Sequence, residues 1–533
     1  MKTHDRRGNM VTRRFFIGSL AAAGGYGAFG GNRFLLAAAG FKAGTKPNVR
    51  FGVVSDIHIR CSAGGDPKQT YRDNSTFRHT LEWFRSQNVD AVVIAGDMAD
   101  VGMDENLMAV SEAWYSVFPD DKYPDGRPVE KVFVTGNHDW GGFVFNNAAE
   151  KAYPEEKERV RHVLQYDMAG WWRKAFHEDY TRIFMKEING YRFVGAHWDT
   201  GTPDNPTGRK ADPFARIRGF LDEKGRTLDP ALPFFYVQHP HPKDTCYGPW
   251  AWGHDKGVAT EALASYHNAI AFSGHSHYTL TDERSVWQGA FTSVGTSSLR
   301  YTGIEYDEHP PLGFENSSAP SKAQWRSDAE KMMGKFDGSD CRQGMLWSVY
   351  NDCIVIKRRE FVSDLDLGDE WVLPLPSAES RPFAFAERAR KSKPPKFPDG
   401  AGVAVSRIKS RTRGGKAKGG EKIDPVKKDA FKVVVPAAVP ERDARLYELE
   451  FAAEGKSGEK KVKLVVPAGF NHAPTHAKAS APLSCVFALD ELPAGEVRFA
   501  VTPINCWGRR GTPLLSEWAG HIAAEMLDAS AQA

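Results

Sequence analysis

The stretch Ala91-Val92-Val93-Ile94-Ala95-Gly96-Asp97 is five apolar residues running without a break into a glycine and a carboxylate. A short continuous apolar run bounded by a turn residue reads as a strand buried on both faces, the kind found in parallel sheets. Four other segments repeat the pattern. Val49–Ser55 leads to Asp56-Ile57-His58, and Lys131–Thr135 leads to Gly136-Asn137-His138-Asp139. Pro233–Gln238 delivers His239, and Ala269–Ser273 delivers Gly274-His275-Ser276-His277. Between the first three runs, Asn74–Ser86 (Phe77, Leu81, Phe84) and Glu105–Phe118 (Leu107, Val110, Trp114, Val117) place apolar residues at helical spacing. This alternation predicts an α/β domain with a largely parallel central sheet, helices outside, and polar residues collected at the carboxyl edge.

The residue types at that edge are carboxylate, imidazole and amide, which suit first-row divalent or trivalent cations. Two such ions about 3.5–4 Å apart can clamp a phosphoryl group and generate hydroxide at neutral pH. Any one of these blocks is common by chance. The whole series in order, each block at a strand end, is not.

Taken together the blocks D-x-H, G-D, G-N-H-D, H and G-H-x-H resemble the signature of the calcineurin-like metallophosphoesterases, over roughly residues 49–300. The resemblance implies an α/β fold with a central β-sandwich and flanking helices. It also implies two metal ions, Mn, Fe or Zn. Asp56, His58 and His277 would hold the first and Asn137, His239 and His275 the second, with Asp97 bridging through its two oxygens. His138, beside a ligand, would stabilise the phosphoryl oxygens or protonate the leaving group. Asp100 resembles the carboxylate that partners this histidine and favours its protonated form; a loop cap is the competing reading. Asp139 reads as a structural acceptor of backbone N–H groups.

Departures from the pattern narrow the family. Purple acid phosphatases have Tyr three residues after the bridging Asp, where this chain has Asp100. Protein Ser/Thr phosphatases continue with Arg-Gly and use G-N-H-E; here Val101-Gly102 and Asp139 stand instead. The arrangement is closer to bacterial cyclic-nucleotide phosphodiesterase-like members, from which His239-Pro240-His241 departs. His241 could touch substrate or serve packing. Tyr247, Trp250, Trp252 and His254 are candidates for substrate selection in a loop over the metals.

At 533 residues the chain is long enough for two domains. A net charge of +3, with 26% charged and 41% hydrophobic residues, is that of an ordinary globular protein and argues against a nucleic-acid partner. The 14 tryptophans read mainly as core cover.

Residues 1–40 read as a targeting segment. Thr12-Arg13-Arg14-Phe15-Phe16-Ile17 and the Ala/Gly-rich stretch after it resemble a twin-arginine export signal, with Ala37-Ala38-Ala39 as a cleavage site. Arg33 interrupts the apolar stretch, so no spanning helix is expected. This implies a bacterial protein acting in the periplasm or outside the cell. Six cysteines show no metal-binding spacing; Cys341 with Cys353, and Cys485 with Cys506, could pair or remain thiols.

The catalytic domain is expected over 45–380, with a Gly/Pro/Ser-rich insertion at about 302–344, a strand at Phe291–Ser298, and a hairpin over Met345–Phe361 turning at Asn351-Asp352. Residues 381–430 read as a basic linker or the start of the next domain. Over 431–524, short strands at Phe431–Val435, Leu446–Phe451, Lys461–Val466, Leu483–Ala488 and Val497–Pro503 suggest an all-β sandwich resembling fibronectin type III. The expected activity is metal-dependent hydrolysis of a small or polymeric phosphoester. The competing readings are a binding or adhesion protein with a vestigial metal site, and an exported nuclease.

Overall fold

The computed structural model describes residues 46–60, 67–102, 104–198, 216–248, 251–303, 341–376, 380–411, 415–416, 422–423, 426–441, 445, 447–465, 467 and 469–520. The basic N-terminal segment, Cys61, Trp250 and residues 304–340 of the expected insertion lie outside them.

In chain order the strands of the first domain are β1 (Val49–Val54), β2 (Ala91–Ala95), β3 (Glu130–Val134), β4 (Ile183–Ile188), β5 (Tyr191–Ala196), β6 (Phe234–Val237) and β7 (Ala269–Ser273). They continue with β8 (Val286–Gln288), β9 (Thr292–Gly295), β10 (Gln343–Val349), β11 (Cys353–Glu360), β12 (Leu365–Asp366) and β13 (Trp371–Pro374). One sheet has the order β12-β11-β10-β1-β2-β3, with β13 also on β11, and the other runs β4-β5-β6-β7-β9-β8. Strands β1, β2 and β3 are mutually parallel, as are β5, β6, β7 and β9, whereas β10 joins β1 antiparallel.

The five strands that lead into motif blocks are therefore divided between two sheets. Alternation of strand and helix suggested one central sheet, and the architecture is instead the central sandwich that the family resemblance implied. The physical reason is that an unbroken apolar run reports burial on both faces but not which strand lies alongside. The inner faces pack on one another through Phe51, Val93 and Val134 from one sheet and Phe193, Phe235 and Phe272 from the other. The rings of Phe51 and Phe235 meet edge to face at 4.8 Å. The outer face of the first sheet is covered by helices Pro67–Ser86 and Asp104–Val117, whose Phe77, Leu81, Phe84, Leu107 and Trp114 pack over Val54, Ile94 and Phe133. The β10–β11 hairpin turns at Asn351-Asp352 as expected.

The C-terminal region is an all-β sandwich. Ala404–Arg411, Lys427–Val435 and Leu483–Ala488 form one sheet; Lys460–Val465, Tyr447–Gly455 and Glu496–Asn505 form the body of the other. Phe431, Val433, Phe451, Phe487, Phe499 and Val501 fill the space between them. Its first strand lies within the segment expected to be a linker or the start of this domain.

This sandwich is keyed into the first domain. Asn471 and Ala473, on a loop of the sandwich, are fully buried. The Asn471 carbonyl accepts from Gln343 Nε2 at 2.7 Å, and its amide donates to Thr302 Oγ1 at 2.9 Å. Beside this, Arg445 N donates to Glu283 Oε2 at 2.9 Å, and the Arg388 guanidinium donates to the Glu283 carbonyl. Cys246, Cys341, Cys353, Cys485 and Cys506 are buried free thiols, so neither pairing considered from the sequence forms. Among the described residues no helix is long and apolar enough to cross a membrane. Of the described tryptophans only Trp252 and Trp518 are exposed, in keeping with core cover for the rest.

Candidate metal centre

The carboxyl ends of β1, β2, β3, β6 and β7 converge. Asp56, His58, Asp97, His275 and His277 all have φ between 48° and 71°, the left-handed region that Asp and His tolerate better than most residues. Such concentrated strain is characteristic of functional sites held in place by the surrounding fold. Two glycines of the motif blocks are fixed by crowding. A Cβ on Gly96, itself at φ 89°, would lie 2.4 Å from His239 Nδ1, and one on Gly274 would lie 2.3 Å from Asp56 Oδ2. Each glycine gives up its side chain to a ligand from a neighbouring strand.

Two groups of donor atoms result, joined by a third that His58, Asp97 and His138 make. Asp56, His58 and His277 bring theirs within 4.8 Å of one another, as do Asp97, His239 and His275. In the first, His277 Nε2 is 3.1 Å from both Asp56 Oδ1 and His58 Nε2. In the second, His239 Nε2 is 3.0 Å from Asp97 Oδ2 and 3.1 Å from His275 Nδ1. Asp97 Oδ2 also lies 3.6 Å from His58 Nε2, so one oxygen atom faces both groups. Its Oδ1 is engaged by the His138 N–H at 2.8 Å. Oδ2 is thus the Asp97 oxygen that faces both groups, while Oδ1 anchors the next motif block. Asn137 opens the short helix Asn137–Gly141, and its Oδ1 is buried without a hydrogen-bond partner.

These residues fit metal ions. Spacings of 3.0–3.6 Å between donor atoms are edges of a coordination shell with bonds of about 2.0–2.2 Å. Two imidazole nitrogens at 3.1 Å repel unless a proton or cation lies between or beside them. Burial works against the carboxylates of Asp56 and Asp97. Yet the neighbouring imidazoles, led by His277 for Asp56 and His239 for Asp97, hold both well below the usual carboxylate range. Burial likewise opposes charge on His58 and His239. Asp100, Asp56 and Asp97 nonetheless raise His58 to about 10, and Asp97 and Asp56 raise His239 to about 9. The carboxylates draw positive charge to the imidazoles as protons, and a metal ion held by these residues would take the place of those protons. His275 is pushed down to about 3 by burial and by the charge on His239.

The surrounding groups orient the ligands. His239 Nδ1 donates to the Ala95 carbonyl at 2.8 Å, which turns Nε2 toward Asp97. His58 Nδ1 lies 3.2 Å from Asp100 Oδ1. This corrects the role expected for Asp100. Its carboxylate faces His58, Arg60 (2.8 Å) and the Arg300 guanidinium, while His138 Nδ1 is bound by the Asp100 backbone carbonyl at 2.9 Å. The carboxylate follows the greater positive charge, and His138 is pushed down by burial, with Asp97 opposing.

Asp139 is structural, accepting from Gly136 N at 2.7 Å and Ala99 N at 2.8 Å. His241 is buried between Ser273 Oγ and Ser276 Oγ, each at 2.7 Å, which selects the packing role. Tyr247 is buried, with its hydroxyl donating to the Tyr278 carbonyl, and His254 Nε2 bonds the Cys246 carbonyl. Trp252 alone of the described loop candidates is exposed at the centre, stacked on His275. Arg60, Arg300 and Tyr301 were not found from the sequence. Arg60 stands two residues after His58 and could have been; Arg300 and Tyr301 lie in a segment with no motif.

Residues 49–279 match the family model described as calcineurin-like phosphoesterase. No curated protein matches the chain. Among solved structures, a dimetal phosphatase from Danio rerio is similar at 13% identity and TM-score 0.35, over 62% of this chain and 99% of that one. A purple acid phosphatase from yellow lupin (Lupinus luteus) is similar at 13% identity and TM-score 0.34, over 62% of this chain and 55% of that one. A predicted phosphoesterase from Streptococcus pneumoniae TIGR4 is similar at 10% identity and TM-score 0.24, over 61% of this chain and 97% of that one. The segment 49–279, with the ligand groups above at its strand ends, is similar to the calcineurin-like phosphoesterases.

Proposed function

We propose that the chain is a binuclear metallophosphoesterase that hydrolyses a phosphomonoester or phosphodiester outside the cytoplasm. The observation that carries this reading is the single oxygen, Asp97 Oδ2, shared between two groups of ligand atoms. In this reading Asp56, His58 and His277 hold one ion, Asn137, His239 and His275 hold the other, and Asp97 serves both; Mn, Fe and Zn all suit the donors. When bound, such ions polarise phosphoryl oxygens and bring the pKa of a water near neutrality.

The chain's own residues supply the rest. His138 holds Nδ1–H on the Asp100 carbonyl, so Nε2 is the nitrogen that would take up a proton from solvent and pass it to the departing alcohol. Asp100, with Arg60 and Arg300, fixes the tautomer and direction of His58. Export rests on the twin-arginine-like segment around Arg13-Arg14, and the fibronectin type III likeness of the C-terminal sandwich rests on its strand count.

The test is a metal-reconstituted screen of bis-aryl and mono-aryl phosphates, with metal content measured on the same sample. Two metal equivalents with turnover are expected. His138→Ala should keep both metals and lose turnover by roughly 10²–10⁴-fold. Two metals with no hydrolysis of any ester would favour a binding protein instead.

A further inference from the structure

Two exposed aromatic rings flank the metal centre and have no part in the chemistry above. Trp252 stacks on His275 with ring centroids 4.6 Å apart and planes at 22°, and it is 48% exposed. Tyr301 lies against His277 at 4.3 Å and 46°, and it is 46% exposed. Among the described residues Trp518 is the only other exposed aromatic side chain. His275 belongs to one ligand group and His277 to the other, so each half of the centre has its own ring.

The rings are held in place by the backbone. His241 N donates to the Gly253 carbonyl and Asp255 N to the His241 carbonyl, both at 2.8 Å, which ties the Trp252 segment to the strand end that carries His239. Tyr301 N bonds Ser298 Oγ at 3.3 Å, Gly303 N bonds the His277 carbonyl at 2.7 Å, and Thr302 is gripped by Asn471. An aromatic side chain has few torsions to freeze, so a ring fixed this way is a ready stacking surface.

A phosphodiester carries one substituent on each of two ester oxygens, whereas a monoester carries one. We propose that Trp252 and Tyr301 are specificity-determining residues that receive the two substituents of a phosphodiester, at least one of which is a planar ring, aryl or nucleobase. This rests on the phosphoesterase reading and names its substrate class.

The test uses the full chain loaded with Mn²⁺, as wild type, Trp252→Leu and Tyr301→Leu. Turnover is followed on bis(4-nitrophenyl) phosphate and 4-nitrophenyl phosphate. Calorimetry gives Kd for diphenyl phosphate and for inorganic phosphate. Stacking of a flat ring on an aromatic side chain predicts that each substitution raises KM for the bis-aryl ester about tenfold and weakens diphenyl phosphate as much. Unchanged kcat, unchanged metal content and unchanged Kd for inorganic phosphate are expected alongside, and the mono-aryl ester should respond to only one of the two substitutions. Equal weakening of inorganic phosphate, loss of metal, or a fall in kcat at constant KM would overturn the assignment and make the rings mere cover for the histidines. If wild type hydrolyses no ester but binds diphenyl phosphate in a ring-dependent way, the phosphoesterase reading falls and the ring assignment stands. If diphenyl phosphate binds no better than inorganic phosphate, the ring assignment falls alone.

Discussion

At the candidate metal centre Asp56 and Asp97 are buried and face imidazole nitrogens, and the buried Asn137 oxygen is bonded to no donor. At the contact between the two domains Asp282 is equally buried, but the Arg284 guanidinium meets both of its oxygens, at 2.7 Å in the closest contact. Glu283 lies beside it in the charge of Arg388, Arg358 and Arg445, although burial still pushes its carboxyl up. Burying charge is costly in either place. The domain contact brings its own permanent cations, which cannot leave. The metal centre offers bases that exchange a proton for a metal. The difference separates a structural use of buried charge from a functional one, and it predicts that the two places fail differently.

Asp97→Ala should have the largest effect. Removing the shared oxygen strips both ligand groups at once, so neither metal equivalent should be retained, and turnover should vanish. Metal content by mass spectrometry, with circular dichroism to show that the fold persists, decides the matter. Retention of two equivalents would sink the shared-atom geometry.

Arg284→Met probes the other place. It leaves Asp282 buried without its partner, and breaking a buried pair in this way costs about 3–5 kcal/mol. Thermal or urea unfolding should show a large loss of stability, with metal content per folded molecule unchanged. If instead metal is lost and stability holds, the two sites are not the separate devices described above.

The parts of this contrast that were legible in the sequence are those that end a strand. Asp56, Asp97, Asn137, His239 and His275 follow apolar runs, and their residue types already limit the chemistry. Partners supplied from afar were not legible. Arg300 reaches Asp100 across 200 residues, and Asn471 reaches Thr302 across 169. Neither has a motif, because any hydrogen-bonding residue at the right point in space would serve. The β4–β5 hairpin was missed because its first strand is half-buried rather than continuously buried, so the apolar pattern is weak. The split of the motif strands into two sheets depends on pairing, which no single strand records. Asp100 shows the same limit within one residue: its nearness to His138 in the motif suggested a partner, while space gave its carboxylate to His58.

That correction is open to a direct test of smaller size. Asp100→Asn keeps an acceptor but removes the charge that orients His58. Loss of such an orienting carboxylate typically lowers metal affinity by 10–100-fold, on the order of the effect expected here. Chelator competition should show one ion weakened and the other little changed. Undiminished affinity for both ions with a collapse in turnover would return Asp100 to His138 as its charge partner.

The smallest effect concerns a third way of burying an ionisable group, keeping it neutral. His197 is buried among aromatic rings, and its Nδ1 accepts from Thr135 N at 3.1 Å, just before the Gly136-Asn137-His138 block. Burial, helped by the charge of Lys186, pushes it down to about 3 from an ordinary 6.5. Between those values the unfolded chain binds the proton and the folded chain does not. The stability contributed by the neutral ring is therefore complete above pH 6.5 and is lost as pH falls toward 3, at up to about 1.4 kcal/mol per pH unit. His197→Gln retains an acceptor for Thr135 but cannot titrate, so its stability should fall less steeply across that window. Unfolding free energies measured at several pH values for the metal-free protein provide the comparison. Parallel curves for wild type and variant would mean that His197 is already protonated in the folded chain, and that the proton-accepting character of the metal centre extends one layer further than its ligands.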